Sequence, residues 1–480
     1  MEPAFLAATE QARLIREGKL SSLELVQLYL DRIERLDPEL NAFVTVCAEE
    51  ALADASAADG ADDGDAPFRG VPIAVKDLTA TAGIRTTYSS RAFAENVPDF
   101  DTAVVRRIRD AGFVIVGKTN TPEFGTTAFT ESELNGATRN PWDTELTPGG
   151  SSGGAAAALV AGLVPLAHGT DGGGSIRIPA SCCGVFGLKP ARGRVSTAPF
   201  MSLEGLATAG TLSRSVADAA AFLDVLAGYE PGDPWWTPPP ARPFADEVGI
   251  EPGRLRVAIT AEPPIDVPVH FDCKAALRAA ASLLEDLGHD VTEATPSWAG
   301  AGLIDAFIAV WQVSPALYPV DPALLTPFNR DLAASARLSS AADYAKAVLE
   351  LQTAARRIVG FWKEVDVVVT PTLALPPVQI GWQEEGVSGA IEQLHRNTVF
   401  TPFTAIANLT GLPAMSLPLH WSDDGLPIGV QAIGPPAGEA LLLRLAAQLE
   451  EARPWRDRRP PISDHKRRRP DRESASRTSR

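Results

Sequence analysis

The chain has 480 residues, of which 45% are hydrophobic and 21% are charged. This composition is typical of a globular protein, and it excludes wholesale disorder, a collagen-like rod and a coiled coil. The formal net charge of −17 argues against a general binding surface for nucleic acid or for an anionic membrane, and it favours small organic substrates.

No targeting, membrane-spanning or metal-binding segment is predicted. Residues 1–5 lack the basic and apolar regions of a secretory signal, which favours a cytoplasmic protein. The longest apolar run, residues 155–167, is shorter than the roughly 20 residues of a spanning helix, so it is predicted to be a buried core helix. The four cysteines form no CxxC pair and the six histidines lack metal-ligand spacing, so neither a disulfide framework nor a metal site is predicted.

In chain order, the first clear element is an amphipathic helix. Ser21 and Glu24 form a capping-box pattern before apolar residues at helical spacing, and Asp37 with Pro38 is predicted to end the helix. The acidic stretch 49–65 is predicted to be a helix end that runs into a solvated loop.

Short β-rich runs then alternate with helical patterns, and they lie at residues 71–75, 113–116, 164–167, 255–259, 365–369 and 414–417. This alternation predicts an α/β fold in which helices cover a largely buried sheet. Residues 112–119 also match the GxxxxGK[ST] pattern of a phosphate-binding loop. Because their interior is a β-branched run, a strand is predicted there instead of a nucleotide site.

The C-terminal residues differ in composition from the rest of the chain. Beyond Pro454 the sequence is rich in Arg and Pro with hardly any apolar residues, which predicts a disordered tail. Residues 456–480 carry a net charge of +6, so the body carries −23. The body is therefore not expected to bind nucleic acid, whereas binding of a polyanion or a partner by the tail stays open. The Pro-rich stretch 231–240 is interpreted as an excursion within one domain.

Two glycine-rich segments carry serines that could serve as nucleophiles. In residues 147–154, glycines flank Ser151 and Ser152, which lets the backbone turn sharply and bring the hydroxyls close to another group. In residues 169–177, three glycines precede Ser175 and can present consecutive N–H groups to a developing oxyanion, as acyl transfer requires. Taken alone, each segment is equally well explained as a glycine-rich turn.

A nucleophilic serine needs a base, and the sequence offers two candidates. His168 follows the apolar run 164–167 without the residue order of a Ser-His-Asp triad, so it is predicted to pack or hydrogen-bond structurally. Lys76 ends the strand 71–75, where desolvation favours the neutral amine and makes it a usable base near neutral pH. The alternative for Lys76 is an ordinary ion pair with Asp77.

Taken together, these segments resemble the amidase signature family. The resemblance is carried by Lys76 in GVPIAVKDL, by the GGSSGG loop, by GTDGGGSIR and by the continuation PASCCGVFGLKP at residues 179–190. It extends to residues 117–123, 210–215 and 408–414, and it covers nearly all of residues 5–455.

The resemblance implies a Ser–cis-Ser–Lys triad on a single α/β/α domain, residues 1–455, with a central mixed, twisted β-sheet covered by helices. In this match Ser175 is the nucleophile, Ser151 is the bridging serine with a cis peptide bond, and Lys76 is the base. Ser151 is chosen over Ser152 because the family's two serines lie 24 positions apart, as Ser151 and Ser175 do here.

The same match assigns the groups around the triad. Ser152 supports the serine loop, while Asp171 and Arg177 form a pair that fixes the glycine-rich turn. No cofactor is implied. The implied oxyanion hole consists of backbone N–H groups, those of Gly172, Gly173 and Gly174, with that of Ser175 left open as a fourth.

The implied activity is hydrolysis of a small-molecule carboxylic amide through an acyl-serine intermediate. The family offers two alternatives to this activity. One is hydrolysis of carbamates or cyclic amides, and the other is a role as the A subunit of an aminoacyl-tRNA amidotransferase. Against the subunit, Ile178 stands where it typically has Gln, and residues 196–200 stand where it has an SRYG stretch. Residues 182–183 and 425–431 resemble bacterial hydrolases near the 6-aminohexanoate cyclic-dimer hydrolase.

The expected partner is a small-molecule amide, and a homodimer stays open. Residues 300–400 are expected to supply part of an apolar wall of the substrate pocket. Their aromatic side chains are equally well explained as core, so none is assigned to the pocket; they are Trp311, Tyr318, Phe328, Trp382 and Phe400.

Overall fold

The computed structural model describes residues 2–61, 66–200, 202–298 and 302–463. A mixed sheet of eleven strands runs through the centre of the described residues. The strands are β1 Phe43–Val46, β2 Pro72–Lys76, β3 Val114–Thr119, β4 Glu131–Ser132, β5 Gly136–Ala137, β6 Leu166–Asp171, β7 Phe186–Lys189, β8 Thr208–Ser213, β9 Arg256–Ile259, β10 Asp290–Glu293, β11 Val367–Pro371, β12 Ala414–Trp421 and β13 Pro427–Ile433. β4 and β5 form a separate hairpin, and the large sheet has the order β1-β3-β2-β6-β8-β7-β12-β13-β11-β9-β10.

Helices cover both faces of this sheet. They are α1 Ala8–Arg16, α2 Ser22–Leu40, α3 Ala48–Asp59, α4 Ala103–Asp110, α5 Gly153–Val160, α6 Arg177–Cys183, α7 Val216–Leu226, α8 Phe271–Asp286, α9 Leu303–Trp311, α10 Pro327–Leu338, α11 Ala341–Val359, α12 Ala390–Phe400, α13 Ala405–Thr410 and α14 Glu439–Ala452. Within the described ranges, none of these helices is both long enough and apolar enough to cross a membrane.

The alternation of side chains along the strands builds two hydrophobic layers. In β2, Ile73 and Val75 enter a core with α1, α4, α7, α8 and α14, whereas Ala74 between them enters a core with α2, α3 and α5. Val368 of β11 faces a third cluster, which includes α9, α11 and α13. Because successive side chains of a strand point to opposite faces, the fold has three layers, α/β/α. The predicted fold class is confirmed.

Each β-rich run predicted from the sequence overlaps a strand: β2, β3, β6, β9, β11 and β12, in chain order. The run that resembles a phosphate-binding loop lies in β3, as predicted. Its lysine, Lys118, is fully buried and donates hydrogen bonds to the hydroxyls of Thr81 and Thr86, both at 2.9 Å.

Two predicted boundaries are wrong. The apolar run 155–167 holds two elements, because α5 ends at Val160, and β6 begins only at Leu166. The first helix predicted from the sequence, which is α2, begins with the expected capping box but continues through Pro38 to Leu40. The Asp37 carboxylate accepts the N–H groups of residues 42 and 43 beyond the helix, at 2.8 and 3.2 Å, which supports the extra turn.

The end of the predicted domain at Trp455 and the first residues of the predicted tail, 456–463, lie on the body of the protein. Trp455 is buried, and its indole N–H donates to the Arg214 carbonyl at 3.0 Å. The Arg458 guanidinium lies 4.1 Å from the ring centre of Trp421, and Arg459 lies over Phe5. Residues up to 463 therefore contact the body, and residues 464–480 lie outside the described ranges, as do residues 62–65 of the acidic stretch.

Candidate active site

Lys76 is the last residue of β2, where the strand meets the serine loop. Its side chain is fully buried, and Nζ lies 2.7 Å from Ser151 Oγ, 2.9 Å from Ser152 Oγ and 3.0 Å from Thr170 Oγ1. Burial lowers the pKa of Lys76 well below its usual value, and the charge of Asp171 opposes this shift only in part. The site therefore favours the neutral amine, as expected for a lysine at the end of a buried strand.

The ordinary ion pair between Lys76 and Asp77 does not form within the described residues. Asp77 instead accepts hydrogen bonds from Thr87, whose N–H lies 3.0 Å from one carboxylate oxygen and whose hydroxyl contacts the same oxygen. Asp77 directly follows the last residue of β2, and its carboxylate contacts Thr87 while the Lys76 amine contacts the serine loop. The amine of Lys76 is thus free to contact hydroxyl groups alone.

The serine loop is held by a threonine beneath it. The Thr130 hydroxyl donates to the Gly149 carbonyl at 2.8 Å and accepts from the Gly153 N–H at 3.0 Å. The peptide bond between Gly150 and Ser151 is cis, in agreement with the resemblance. These contacts present the Ser151 hydroxyl to Lys76.

Ser152 connects the serine loop to the glycine-rich turn. Its N–H donates to the Ser175 carbonyl at 3.1 Å, and its hydroxyl lies 3.2 Å from the Thr170 carbonyl. Because the same hydroxyl also contacts Lys76, Ser152 fixes the distance between the base and the turn that carries Ser175.

The glycine-rich turn after β6 is shaped by the Asp171 carboxylate. One oxygen accepts the Gly174 N–H at 2.8 Å, and the other accepts the Ile176 N–H at 3.2 Å. The N–H groups of Gly172 and Gly173 donate to no other described residue. The structure therefore differs from the prediction at Gly174, whose N–H is already satisfied by Asp171 and is not free to hold an oxyanion.

Gly174 is needed for a different reason. Its φ of 132° lies in a region that side-chain-bearing residues rarely adopt, and a Cβ at this position would collide with the Thr404 side chain. The Thr404 hydroxyl donates to the Gly173 carbonyl at 2.6 Å. A glycine at position 174 thus allows α13 and its preceding loop to approach the turn closely.

A buried ion pair anchors the turn from below. Asp171 and Arg177 are both fully buried, with Nη2 2.8 Å from Oδ1 and Nε 3.0 Å from Oδ2. Burial raises the pKa of Asp171, but the Arg177 charge and its hydrogen bonds outweigh this, and the pKa lies at about 2. The remaining N–H groups of Arg177 donate to the Thr404 carbonyl, Gln431 Oε1 and Asn408 Oδ1.

Sequence reasoning missed four of these contributors. They are Thr170, Thr404, Asn408 and Gln431. Asn408 and Gln431 lie in segments that carry the family resemblance, 408–414 and 425–431, which is the signal that could have found them. Thr170 lies in GTDGGGSIR, which carries the same signal, whereas nothing local marks Thr404, which acts through a contact that only the folded chain creates.

Ser175 lies on the wall of a cavity that Ser151 also lines, and the Ser175 residue is 7% exposed. Among the described residues no hydrogen bond joins the two hydroxyls, so the structure unites Lys76 with Ser151 and Ser152 but leaves Ser175 as a neighbour. Catalytic hydrogen bonds are often long before substrate binds and shorten in the complex.

Two arms of this cavity meet at Gly125, Ser175 and Trp311. The apolar wall of the first arm includes Leu303, Phe307, Leu394, Ile406 and Leu409. The wall of the second arm includes His168 together with the hydroxyl residues Thr79, Thr102, Ser196, Thr197 and Thr208. The described residues that line the two arms include no Asp, Glu, Lys or Arg.

The aromatic residues of the segment 300–400 divide between cavity and core. Trp311 lines both arms, and Tyr318 lines the second arm, where it stacks on Phe124 with ring centres 4.0 Å apart. Phe328 and Phe400 lie in buried clusters, and Trp382 is partly buried and packs against the cluster that contains Phe400.

The described residues contain no group of three or more His, Cys, Asp and Glu side chains that could hold a metal ion. All four cysteines are buried and free. Burial raises the pKa of each of their thiols above its usual value, so they are protonated at neutral pH.

The α/β/α domain brings a buried amine to serine hydroxyls, beside a turn with free backbone N–H groups. This arrangement is equipped for acyl transfer. Comparison with known proteins gives the family: residues 24–443 match the family model described as amidase, and the chain belongs to this amidase signature family. It is a hydrolase that acts on the carbon–nitrogen bond of small-molecule amides.

The similarity extends over almost the whole chain. A putative amidase of Mycobacterium tuberculosis is 42% identical, over 96% of this chain and 99% of its own length. A 6-aminohexanoate-cyclic-dimer hydrolase of Pseudomonas is 38% identical, over 95% of this chain and 96% of its own. The solved structure of a 6-aminohexanoate cyclic dimer hydrolase with substrate matches with a TM-score of 0.89 and 36% identity, covering 96% of this chain and all of that one.

Proposed function

We propose that the amide bond is cleaved by a relay of Ser175, Ser151 and Lys76. One observation carries the proposal: the fully buried Lys76 amine lies 2.7 Å from Ser151 Oγ, and Ser151 shares a cavity wall with Ser175. A neutral amine has two N–H donors and one lone pair. These match its three hydroxyl neighbours if it donates to Ser152 and Thr170 and accepts from Ser151.

In the proposed reaction, Ser175 Oγ attacks the amide carbonyl carbon while its proton passes to Ser151, whose own proton passes to Lys76. The N–H groups of Gly172 and Gly173, with that of Ser175, stabilise the oxyanion. The relay returns the proton to the nitrogen as the C–N bond breaks and the amine leaves. Water then hydrolyses the acyl-serine by the same relay, which restores Ser175 and releases the carboxylate.

The substrate that fits best is an uncharged amide. Neither arm of the cavity has a described charged residue on its wall, so a charged substrate would lose its hydration without gaining a partner. Cyclic amides are included, because relatives named 6-aminohexanoate-cyclic-dimer hydrolase are similar over 95% of the chain.

The test is hydrolysis of linear amides, cyclic amides and carbamates by the wild type and by Ser175→Ala. We expect Ser175→Ala to keep the wild-type unfolding curve and to lose hydrolysis of every substrate. Ser335→Ala is a matched control, since this helical serine lines neither arm, and it should keep full activity. Retained turnover by folded Ser175→Ala would overturn the proposed relay.

A further inference from the structure

His168 is a buried imidazole that the fold does not account for. It lies in β6, is fully buried, and neither ring nitrogen has a hydrogen-bond partner among the described residues. Thr211 stands opposite it on β8, and its buried hydroxyl also lacks a partner. The predicted packing of His168 is found, but the predicted alternative of a structural hydrogen bond is not. Buried polar groups are nearly always hydrogen-bonded, so these atoms call for a polar partner from outside the chain.

His168 is one of the residues that line the space in which the substrate would lie. It lines the second arm together with Ser151, Thr170 and Ser175. His168 and Thr170 are two residues apart on one strand, so their side chains share a face and lie about 7 Å apart. Because Thr170 Oγ1 is 3.0 Å from Lys76 Nζ, His168 lies two residues along β6 from a side chain that contacts the proposed base.

The imidazole is uncharged at neutral pH. Burial lowers the pKa of His168 to about 3, and the nearby amines of Lys76 and Lys118 add to the effect. The Lys118 amine is already engaged by three protein oxygens. A neutral imidazole offers one N–H donor and one nitrogen acceptor. It suits an amide or a hydroxyl, whereas a carboxylate would be buried there without a free cation.

We propose that His168 determines substrate specificity by hydrogen-bonding a second, uncharged polar group of the amide substrate. The inference rests on the proposed function, because Ser175 and Ser151 define where the scissile carbonyl lies. An extended chain covers about 3.5 Å per three bonds, so a second group about six bonds from the scissile carbonyl carbon lies about 7 Å away, which is the spacing between the Thr170 and His168 side chains along β6. The preferred substrates are diamides and hydroxyamides of this spacing, and plain monoamides of equal length are poorer.

The first test compares matched substrates of the wild type. Adipamide carries its second carbonyl oxygen about six bonds from the first carbonyl carbon, and hexanamide has the same chain without it. We expect kcat/KM to be at least about tenfold higher for adipamide, per scissile amide, which corresponds to about 1.4 kcal/mol. Malonamide is too short to reach and should show no such preference over propanamide. Equal kcat/KM for adipamide and hexanamide would overturn the proposal without any variant.

The second test replaces the imidazole. His168→Leu keeps the bulk without a polar atom, and it should reduce the adipamide preference to about one, chiefly through a higher KM for adipamide. His168→Gln, which keeps a donor and an acceptor, should restore part of the preference. A structural role makes a different prediction, because losing a structural hydrogen bond would lower stability, whereas replacing an unpartnered imidazole by an apolar group should leave stability unchanged or raised.

The outcomes separate this inference from the proposed function. A preference for adipamide that persists in folded His168→Leu contradicts the role of His168, even if hydrolysis depends on Ser175. If His168→Leu does not fold, an adipamide preference that is lower in folded His168→Gln than in the wild type supports the role, and a preference equal to the wild-type value contradicts it. Hydrolysis of both amides by Ser175→Ala would instead refute the relay itself.

Discussion

The substitution Lys76→Met removes the proposed base and keeps nearly the length of the side chain. In the wild type the amine contacts three hydroxyls within 3.0 Å, and Met leaves Ser151 without the group that would take its proton. A positioned general base contributes about 10²- to 10⁴-fold to a reaction rate, which is about 2.7 to 5.4 kcal/mol of transition-state stabilisation. We therefore expect kcat/KM to fall by a factor in this range.

The same variant has a predicted signature in stability against pH. Lys76 has a pKa of 10.5 in the unfolded chain and a much lower one when folded, because burial disfavours the charge. Between the two values the unfolded state binds more protons, so the free energy of unfolding of the wild type rises with pH, by up to about 1.4 kcal/mol per pH unit. Lys76→Met lacks this titration. The titrations of all other groups are common to both proteins, so they cancel when the two free energies of unfolding are subtracted.

Two assays check the prediction. Initial rates from pH 5 to 9 should show, for the wild type, a limb that rises with pH and is absent in Lys76→Met. Urea unfolding at pH 7, 8 and 9 should show the wild type gaining stability relative to the variant at each step. Two results together would refute the reasoning that a neutral Lys76 is the base. They are a stability difference between wild type and variant that does not change with pH, and a kcat/KM of the variant within about threefold of the wild-type value.

Two further predictions concern the turn. Asp171→Asn leaves the buried Arg177 without its charged partner, so urea unfolding should show a free energy of unfolding lower by about 3–5 kcal/mol. The pKa of Asp171 is about 2 in the folded protein and 3.8 in the unfolded chain, so the wild-type ion pair should lose its contribution to stability only as the pH falls below about 4. Equal stability of both proteins at pH 7 would contradict the account. Gly174→Ala places a Cβ against Thr404 at a φ of 132°, so it should lower the free energy of unfolding by about 1–3 kcal/mol in the same assay. Gly173→Ala is the control and should lower it by less, because its Cβ meets only Phe307 at 3.7 Å. The reverse order of the two variants would count against this explanation.

Sequence patterns predicted the parts of the fold and site that local chemistry determines. The alternating apolar runs locate strands because burial on both faces of a sheet demands apolar residues. Lys76 at the end of such a run could be expected to lose its hydration, and the structure lowers its pKa accordingly. The glycines around Ser151 and Ser175 point to tight turns, although only the resemblance assigns them roles.

The features that sequence reasoning missed depend on contacts between distant segments. β6 extends through His168 and Gly169 to Asp171, although glycine and aspartate are uncommon in strands, because β8 pairs with each of these residues. The Gly174 N–H is occupied because the Asp171 carboxylate folds back onto the turn, and no local pattern predicts that choice of acceptor. The unpartnered state of His168 likewise becomes visible only when every neighbour is in place.

The central claim is that Ser175 is the nucleophile, with Lys76 acting through Ser151. The most direct measurement is to treat the wild type with a fluorophosphonate probe and to locate the adduct by mass spectrometry of its peptides. The account predicts one adduct, on Ser175, formed much more slowly in Lys76→Met. The account is contradicted by an adduct on Ser151, Ser152 or any other residue in place of Ser175. It is also contradicted if the probe abolishes hydrolysis while Ser175 stays unmodified.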